Sequence, residues 1–108
     1  MYQYKAKVIN VVDGDTVDAV VDLGFKIHTT QRFRLARIDT PERGQAGFIE
    51  AKIFVTDAVL NKEVMISTEK VSKFGYYLAE ITLDTGDKLN DVLIKEGLAK
   101  PYDGGKKE

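Results

Sequence analysis

The sequence predicts a mainly β domain with helices (α+β): a five-stranded barrel, one helix between strands 3 and 4, and a short C-terminal helix. Three observations predict it. Apolar and polar residues alternate in five separate stretches, the period of half-buried strands. One stretch, Phe48 to Asn61, changes to helical spacing. A chain of 108 residues is long enough for one core without staples, and a closed barrel leaves that core no unprotected sheet edge.

The elements follow in order. Lys5 to Val12 alternates loosely and runs into Asp13-Gly14-Asp15-Thr16, where Gly14 permits a bend or bulge. Val17, Ala19 and Val21, set against Thr16, Asp18 and Asp22, make a second strand, which Leu23-Gly24 turns. Phe25, Ile27, Phe33 and Leu35 then fall on one face of a long third strand ending at Asp39. Three consecutive strands with short turns make an antiparallel meander. Arg43 to Gly47 has two glycines and no apolar period, hence a loop. In the helix, Phe48, Ala51, Val55, Ala58 and Val59 share one face. Ile49, Ile53 and Leu60 form a second, narrower stripe, expected to be buried as well, with a partner contact as the alternative.

Lys62 to Glu69 returns to strand, with Val64, Ile66 and Thr68 inward. Gly75 to Leu83 is the fifth strand, with Tyr77, Ala79, Ile81 and Leu83 inward against Tyr76, Leu78 and Glu80. After the turn Asp84-Thr85-Gly86, Asp87 is placed to N-cap a helix reaching Glu96, with Leu89, Val92 and Leu93 on its inner face. Gly97 suits the left-handed position that ends it, with Leu98 folding back on Leu93. Residues 1–100 read as one domain and 101–108 as a polar tail that frays. Five strands with a helix between the third and fourth is the element order of an OB-fold barrel.

Composition removes several function classes. With 44% hydrophobic and 31% charged residues this is an ordinary globule. No apolar run is long enough to cross a membrane, and no charged-then-apolar leader follows Met1, so a cytoplasmic location is expected if the chain is complete. The absence of cysteine excludes disulfides and thiolate metal sites, and the single histidine, His28, cannot build a His-rich one. A net charge of -1 argues against a passive, tight nucleic-acid binder, yet leaves a phosphate-processing enzyme open, because its charge is local.

The chemistry concentrates in Gln31 to Glu42, QRFRLARIDTPE. Pro41 stops the strand and biases Thr40 toward extended geometry. Arg34 thus sits on a rigid strand, with Asp39 and Glu42 at its mouth. Spacing alone does not separate this from a solvated, charged strand end. If neighbouring strands bring Asp15 and Asp39 together, two hard oxygen ligands converge, which suits Ca²⁺ or Mg²⁺, and Asp13 is near enough to orient them. Taken alone, Asp13 and Asp15 read as an Asp-Gly turn.

VVDGDTV, FRLARIDTPE, KFGYYLAEI and IKEGLAKPYDGG, in that order, resemble the staphylococcal nuclease (thermonuclease) family over about residues 5 to 105. The resemblance implies an OB barrel that cleaves phosphodiester bonds of DNA or RNA, single-stranded by expectation, with Ca²⁺ rather than Mg²⁺. By position it implies that Asp15, Asp39 and the Thr40 carbonyl hold the metal, with Asp13 bracing them. It makes Glu42 the general base, or at least the group that positions water, and Arg34 the phosphate ligand. Lys73 and Tyr76 fall at substrate-binding positions. One departure stands out: the family's motif reads Lys-Tyr/Phe-Gly-Arg, and here it is Lys73-Phe74-Gly75-Tyr76. Tyrosine replaces the second phosphate-clamp arginine, which removes a charge and a donor. The implied enzyme is therefore weakened, and the alternative is an OB module that binds nucleic acid or a partner with most catalysis lost. Arg37 and Arg43 are candidate substitute cations, each expected at the solvated surface. Oligomeric state is left open.

Overall fold

Alternating apolar residues build the strands, and breaks in the alternation bend them. The computed structural model describes residues 2–71 and 75–102. β1 (Tyr2–Asp13) and β2 (Thr16–Asp22) pair antiparallel, with register shifts between Val8 and Asn10 and between Val11 and Asp13. Each shift is a bulge, which sharpens the local twist. This explains the loose period of the first strand: Val8 and Val11 are buried, while Ile9 and Asn10 between them are both exposed.

β3 (His28–Leu35) pairs antiparallel with β2, from Asp22↔His28 to Thr16↔Arg34. The two-residue β4 (Ile38–Asp39) and α1 (Phe48–Val59) follow. β5 (Glu63–Val71) pairs with β1 and with β6 (Tyr77–Thr82), and β6 closes the barrel by lying parallel to β3. The order β1-β2-β3-β6-β5 is the predicted five-stranded OB barrel. α2 (Leu89–Lys95) comes next, and β7 (Lys100–Pro101) pairs with β4 in a small second sheet. Pro101, read as the start of a tail, thus ends a strand; residues 103–108 lie outside the described residues.

The inward faces of the strands enclose one core, which Val55 and Val59 of α1 and Leu89 and Leu93 of α2 complete. In α1 the buried residues Ala51, Val55 and Val59 recur every four positions, a single stripe. α2 is tied in by a buried amide. Asn90 Nδ2 donates to the carbonyls of Ala36 at 2.9 Å and Ala79 at 3.2 Å, and its Oδ1 accepts from the Ile81 N–H at 3.2 Å. A satisfied buried amide at the meeting of β3, β6 and α2 fixes their spacing. α2 ends as expected: the Leu98 N–H donates to Leu93 O at 2.9 Å and the Gly97 N–H to Ile94 O at 3.0 Å, with Gly97 at φ +76.

Four expectations are corrected. The third strand is shorter at both ends. Leu23 to Ile27 is the turn itself, closed by Leu23 N–H to Ile27 O and Ile27 N–H to Gly24 O, each 2.9 Å, so Ile27 is exposed and Phe25 is 96% exposed. The apolar alternation there belongs to a chain reversal, because pairing only begins at Asp22↔His28. At the other end Arg37 takes a left-handed φ of +66, so Asp39 belongs to a separate strand. Second, the outer stripe of α1 is not core: Ile49 and Ile53 are 63% and 54% exposed, and only Leu60 packs on the core. One face of α1 is enough to cover the barrel. Third, Tyr77 is partly exposed and Glu80 is buried, the reverse of their phase. Tyr77 is the first residue of β6 and lies at the rim, its ring 6.4 Å from that of Phe33. Glu80 lies under α2's end of the sheet, where Arg37 and Lys88 cover it. Fourth, α2 is preceded by Lys88 without a side-chain cap. Asp87 belongs to the preceding turn, its carbonyl accepting the Leu83 N–H at 2.8 Å and its carboxylate the Thr85 hydroxyl at 3.2 Å.

Candidate active site at the barrel mouth

Three segments meet at one end of the barrel: the β1–β2 turn, the end of β3, and β4 with Thr40. Gly14 lets them approach. A Cβ there would lie 2.8 Å from Ala51 Cβ and 3.0 Å from both Thr40 Cγ2 and Oγ1. Its use is thus close packing of the turn against α1 and Thr40.

This approach buries Asp15 to 7% exposure. Its Oδ2 accepts the Thr40 N–H at 3.1 Å and its Oδ1 the Thr16 hydroxyl at 3.2 Å. Its own N–H donates to Asp13 Oδ1 at 3.1 Å, which sets the Asp13 carboxylate behind it. Arg34 stands between the two predicted metal carboxylates: Nη1 is 3.2 Å from Asp15 Oδ2 and Nη2 is 3.5 Å from Asp39 Oδ1. Nη1 also donates to Leu35 O at 3.1 Å, and the guanidinium carbon lies 5.8 Å from the Tyr102 ring centroid. Burial raises the Asp15 carboxyl above its ordinary pKa, and the Asp13 side chain adds to the rise. Arg34 and the Thr40 N–H pull it back only in part. Among the described residues Arg34 is thus shared between Asp15 and Asp39.

These residues fit a hard divalent cation by donor chemistry. Asp15, Asp39 and backbone oxygen are all oxygen donors, and a desolvated carboxylate is stabilised by an added positive charge. Among the described residues no group of three or more Asp, Glu, His or Cys side chains is arranged to hold a metal, so a cation here would need backbone and water oxygens besides the two carboxylates. The Thr40 hydroxyl oxygen is buried with no hydrogen-bond partner among the described residues.

Asp15, Arg34, Asp39 and Thr40 are therefore brought together, with Asp13 behind them. Glu42 is exposed on the loop after Pro41, in a turn pinned by its N–H to Gln45 Oε1 at 2.7 Å and by the Gln45 N–H to Glu42 O at 2.9 Å. Lys73 lies outside the described residues. Tyr76 precedes β6 and faces Arg32, whose guanidinium carbon is 5.8 Å from the Tyr76 ring centroid. Arg32 went unnoticed in the sequence. Its signal was the Arg-x-Arg spacing, which puts Arg32 and Arg34 on one face of a strand. Neither expected substitute cation joins the mouth: Arg37 binds Glu80, and the Arg43 guanidinium lies 5.5 Å from the Phe48 ring centroid.

Fold and site together define a small OB barrel with a carboxylate pair and an arginine at its mouth, an arrangement suited to a cation and an anionic ester. The chain belongs to the Staphylococcal nuclease homologue family, whose model matches residues 32–108. It is 31% identical to the Micrococcal nuclease of Shigella flexneri over 107 residues, 92% of this chain and 59% of that protein. It is 28% identical to an uncharacterized endonuclease of Haemophilus influenzae, over 89% of this chain and 51% of that protein. It is also 32% identical to Ribonuclease TUDOR 2 of Arabidopsis thaliana, over 83% of this chain and 10% of that much longer protein. The chain thus spans no more than about three-fifths of the length of these relatives.

Proposed function

We propose that this chain is a calcium-dependent phosphodiesterase acting on single-stranded DNA, RNA or both. The observation that supports it most is the convergence of Asp15, Arg34 and Asp39 from three different elements on one mouth. The names of the relatives, a nuclease and a ribonuclease among them, point the same way. Asp15, Asp39 and the Thr40 carbonyl would hold the ion, which polarises a phosphate oxygen when bound. Ca²⁺ suits such a site better than Mg²⁺, because it accepts irregular oxygen shells. Arg34 supplies a planar donor fork matched to phosphate. Glu42, exposed beside the mouth in sequence, takes a proton from the attacking water. Asp13 keeps the β1–β2 turn in place through the Asp15 N–H.

Catalysis of phosphoryl transfer is mostly positioning and charge neutralisation. A neutral phenol at position 76 leaves one fewer cation for the transition state. Loss of a comparable donor lowers rate by about two to three orders of magnitude, so a slow enzyme is expected. Tyr76 also favours a second reading, an OB module that binds nucleic acid or a partner without cleaving it. Digestion of labelled single-stranded DNA with Ca²⁺, Mg²⁺ or chelator, in the parent and in Glu42→Ala, separates the two. The nuclease reading expects cleavage with Ca²⁺, none with chelator, and at least about a hundredfold loss in Glu42→Ala. A parent inert with either ion leaves the binding module.

A further inference from the structure

We propose that Arg32 is a second phosphate-binding group, holding the phosphate next to the one that Arg34 engages on a single nucleic-acid strand. The inference rests on the nuclease reading for its substrate and on separate geometry for its place. Arg32 and Arg34 stand two residues apart on β3, so both side chains leave the same face, about 7 Å apart along the strand. Adjacent phosphates of a single strand are spaced on a similar step. One face of β3 therefore presents two cations in the register of a sugar–phosphate chain.

The two arginines differ in access. Arg34 is mostly buried between two carboxylates, whereas the Arg32 side chain is 41% exposed. Arg32 is nonetheless held. Its Nε and Nη2 lie 2.7 and 3.1 Å from the two Asp18 oxygens, and Asn10 Nδ2 fixes Asp18 from the other side at 3.1 Å. The guanidinium carbon is 5.8 Å from the Tyr76 ring centroid, and the Tyr76 side chain takes a further hydrogen bond from the guanidinium. A carboxylate gripped in this way uses one edge of the fork, and a guanidinium carries five N–H donors, so donors remain for an anion. Asp18 acts as a positioning residue: it orients the fork and reduces its net attraction for phosphate. Tyr76 adds a ring on which a base can stack. The departure at position 76 thus places an aromatic platform beside an arginine two residues from the mouth. The arrangement holds a flanking phosphate and does not rebuild the clamp on the reacting one, so slow chemistry and added strand affinity coexist.

The test uses the full chain and a labelled ten-nucleotide single strand. In chelator, affinity is measured by fluorescence anisotropy over a range of salt. Each phosphate contact contributes about 0.7 to the slope of log affinity against log salt for single strands. Arg32→Gln is expected to lower the slope by about that amount, and Arg32→Lys to retain it. In calcium, the ratio of kcat/KM on the ten-nucleotide strand to that on a dinucleotide, which has one phosphodiester, is expected to fall about tenfold in Arg32→Gln and less in Arg32→Lys. Because it is a ratio, loss of folded enzyme cancels. An unchanged slope, an unchanged ratio, or a parent that does not bind the strand overturns the proposal and leaves a surface ion pair. Binding with the expected slopes but no cleavage by the parent overturns the nuclease reading alone.

Discussion

Asp15 and Glu80 are both buried carboxylates, 7% and 4% exposed, and the barrel answers them with opposite arithmetic. Glu80 is met by two cations: Arg37 reaches one oxygen and Lys88 Nζ lies 2.6 Å from the other. Among the described residues Asp15 pairs with Arg34, which pairs with Asp39 as well, and Asp13 lies alongside. Arg37 and Lys88 are about half exposed, so the Glu80 cluster bleeds its surplus charge into water. Arg34 is mostly buried with its carboxylates and is shared between them. Burial of a carboxylate therefore does not by itself mark a site. The Glu80 cluster is closed by a cation at each oxygen, whereas Asp15 and Asp39 share Arg34.

Matched substitutions test that contrast, from the largest expected effect downward. Arg34→Gln is expected to lower calcium-dependent cleavage by about two to three orders of magnitude in kcat, while Arg37→Gln leaves it at the parent's level. Equal losses in single-turnover assays would erase the distinction between the clusters. Beside the closed cluster, Asn90→Leu leaves the Ala36 and Ala79 carbonyls and the Ile81 N–H without their partner. A loss of about 3 kcal/mol is expected in urea unfolding. Glu80→Gln keeps the shape but removes the charge shared by two exposed cations. It should cost about 1 to 2 kcal/mol, discounted because those cations can turn to water.

Asp15→Asn has the smallest effect and the opposite sign. The folded pKa of Asp15 lies above its ordinary value of 3.8, mainly through desolvation. Asp15 therefore opposes folding increasingly as pH climbs from that value through the raised one. Without divalent ions Asp15→Asn should melt slightly later than the parent near neutral pH, and no later at low pH. Millimolar calcium is expected to raise the melting temperature of the parent, and Asp15→Asn is expected to lose that rise. A melting curve of the parent that calcium leaves unmoved would count against a cation at the mouth.

How much of this was legible depends on how far each contact reaches along the chain. β2 could be read because Val17, Ala19 and Val21 have one buried face throughout. Element order pointed to the barrel without singling it out from other small α+β folds, and the resemblance supplied the choice. Phe25 and Ile27 were misplaced because a period of two looks the same in a strand and in a turn that happens to alternate; only the pairing at Asp22↔His28 tells them apart. The outer stripe of α1 was misread because periodicity counts apolar faces and does not say how many the core can cover. Asp15, Arg34 and Asp39 could be nominated through the resemblance, since DGDTV and FRLARIDTPE carry them intact. Their shared ion pairs needed coordinates. Arg32 stayed hidden for a related reason: its partners are Asp18 of β2 and Tyr76 just before β6, and neither is its neighbour in sequence.

The pairing of β4 with β7 bears on timing. Asp39 lies opposite Lys100, Ile38 lies opposite Pro101, and the Tyr102 N–H donates to Arg37 O at 2.8 Å. Tyr102 also brings its ring to Arg34. On the ribosome, Asp15, Arg34 and Asp39 all leave the exit tunnel long before residues 100–102 do. A nascent chain can carry every charged group of the mouth while β4 still has no strand to lie against and Arg34 no ring beside it. The barrel mouth is thus framed by a strand translated well after its charged residues, and a truncated product that stops in α2 would have the acidic residues without that frame.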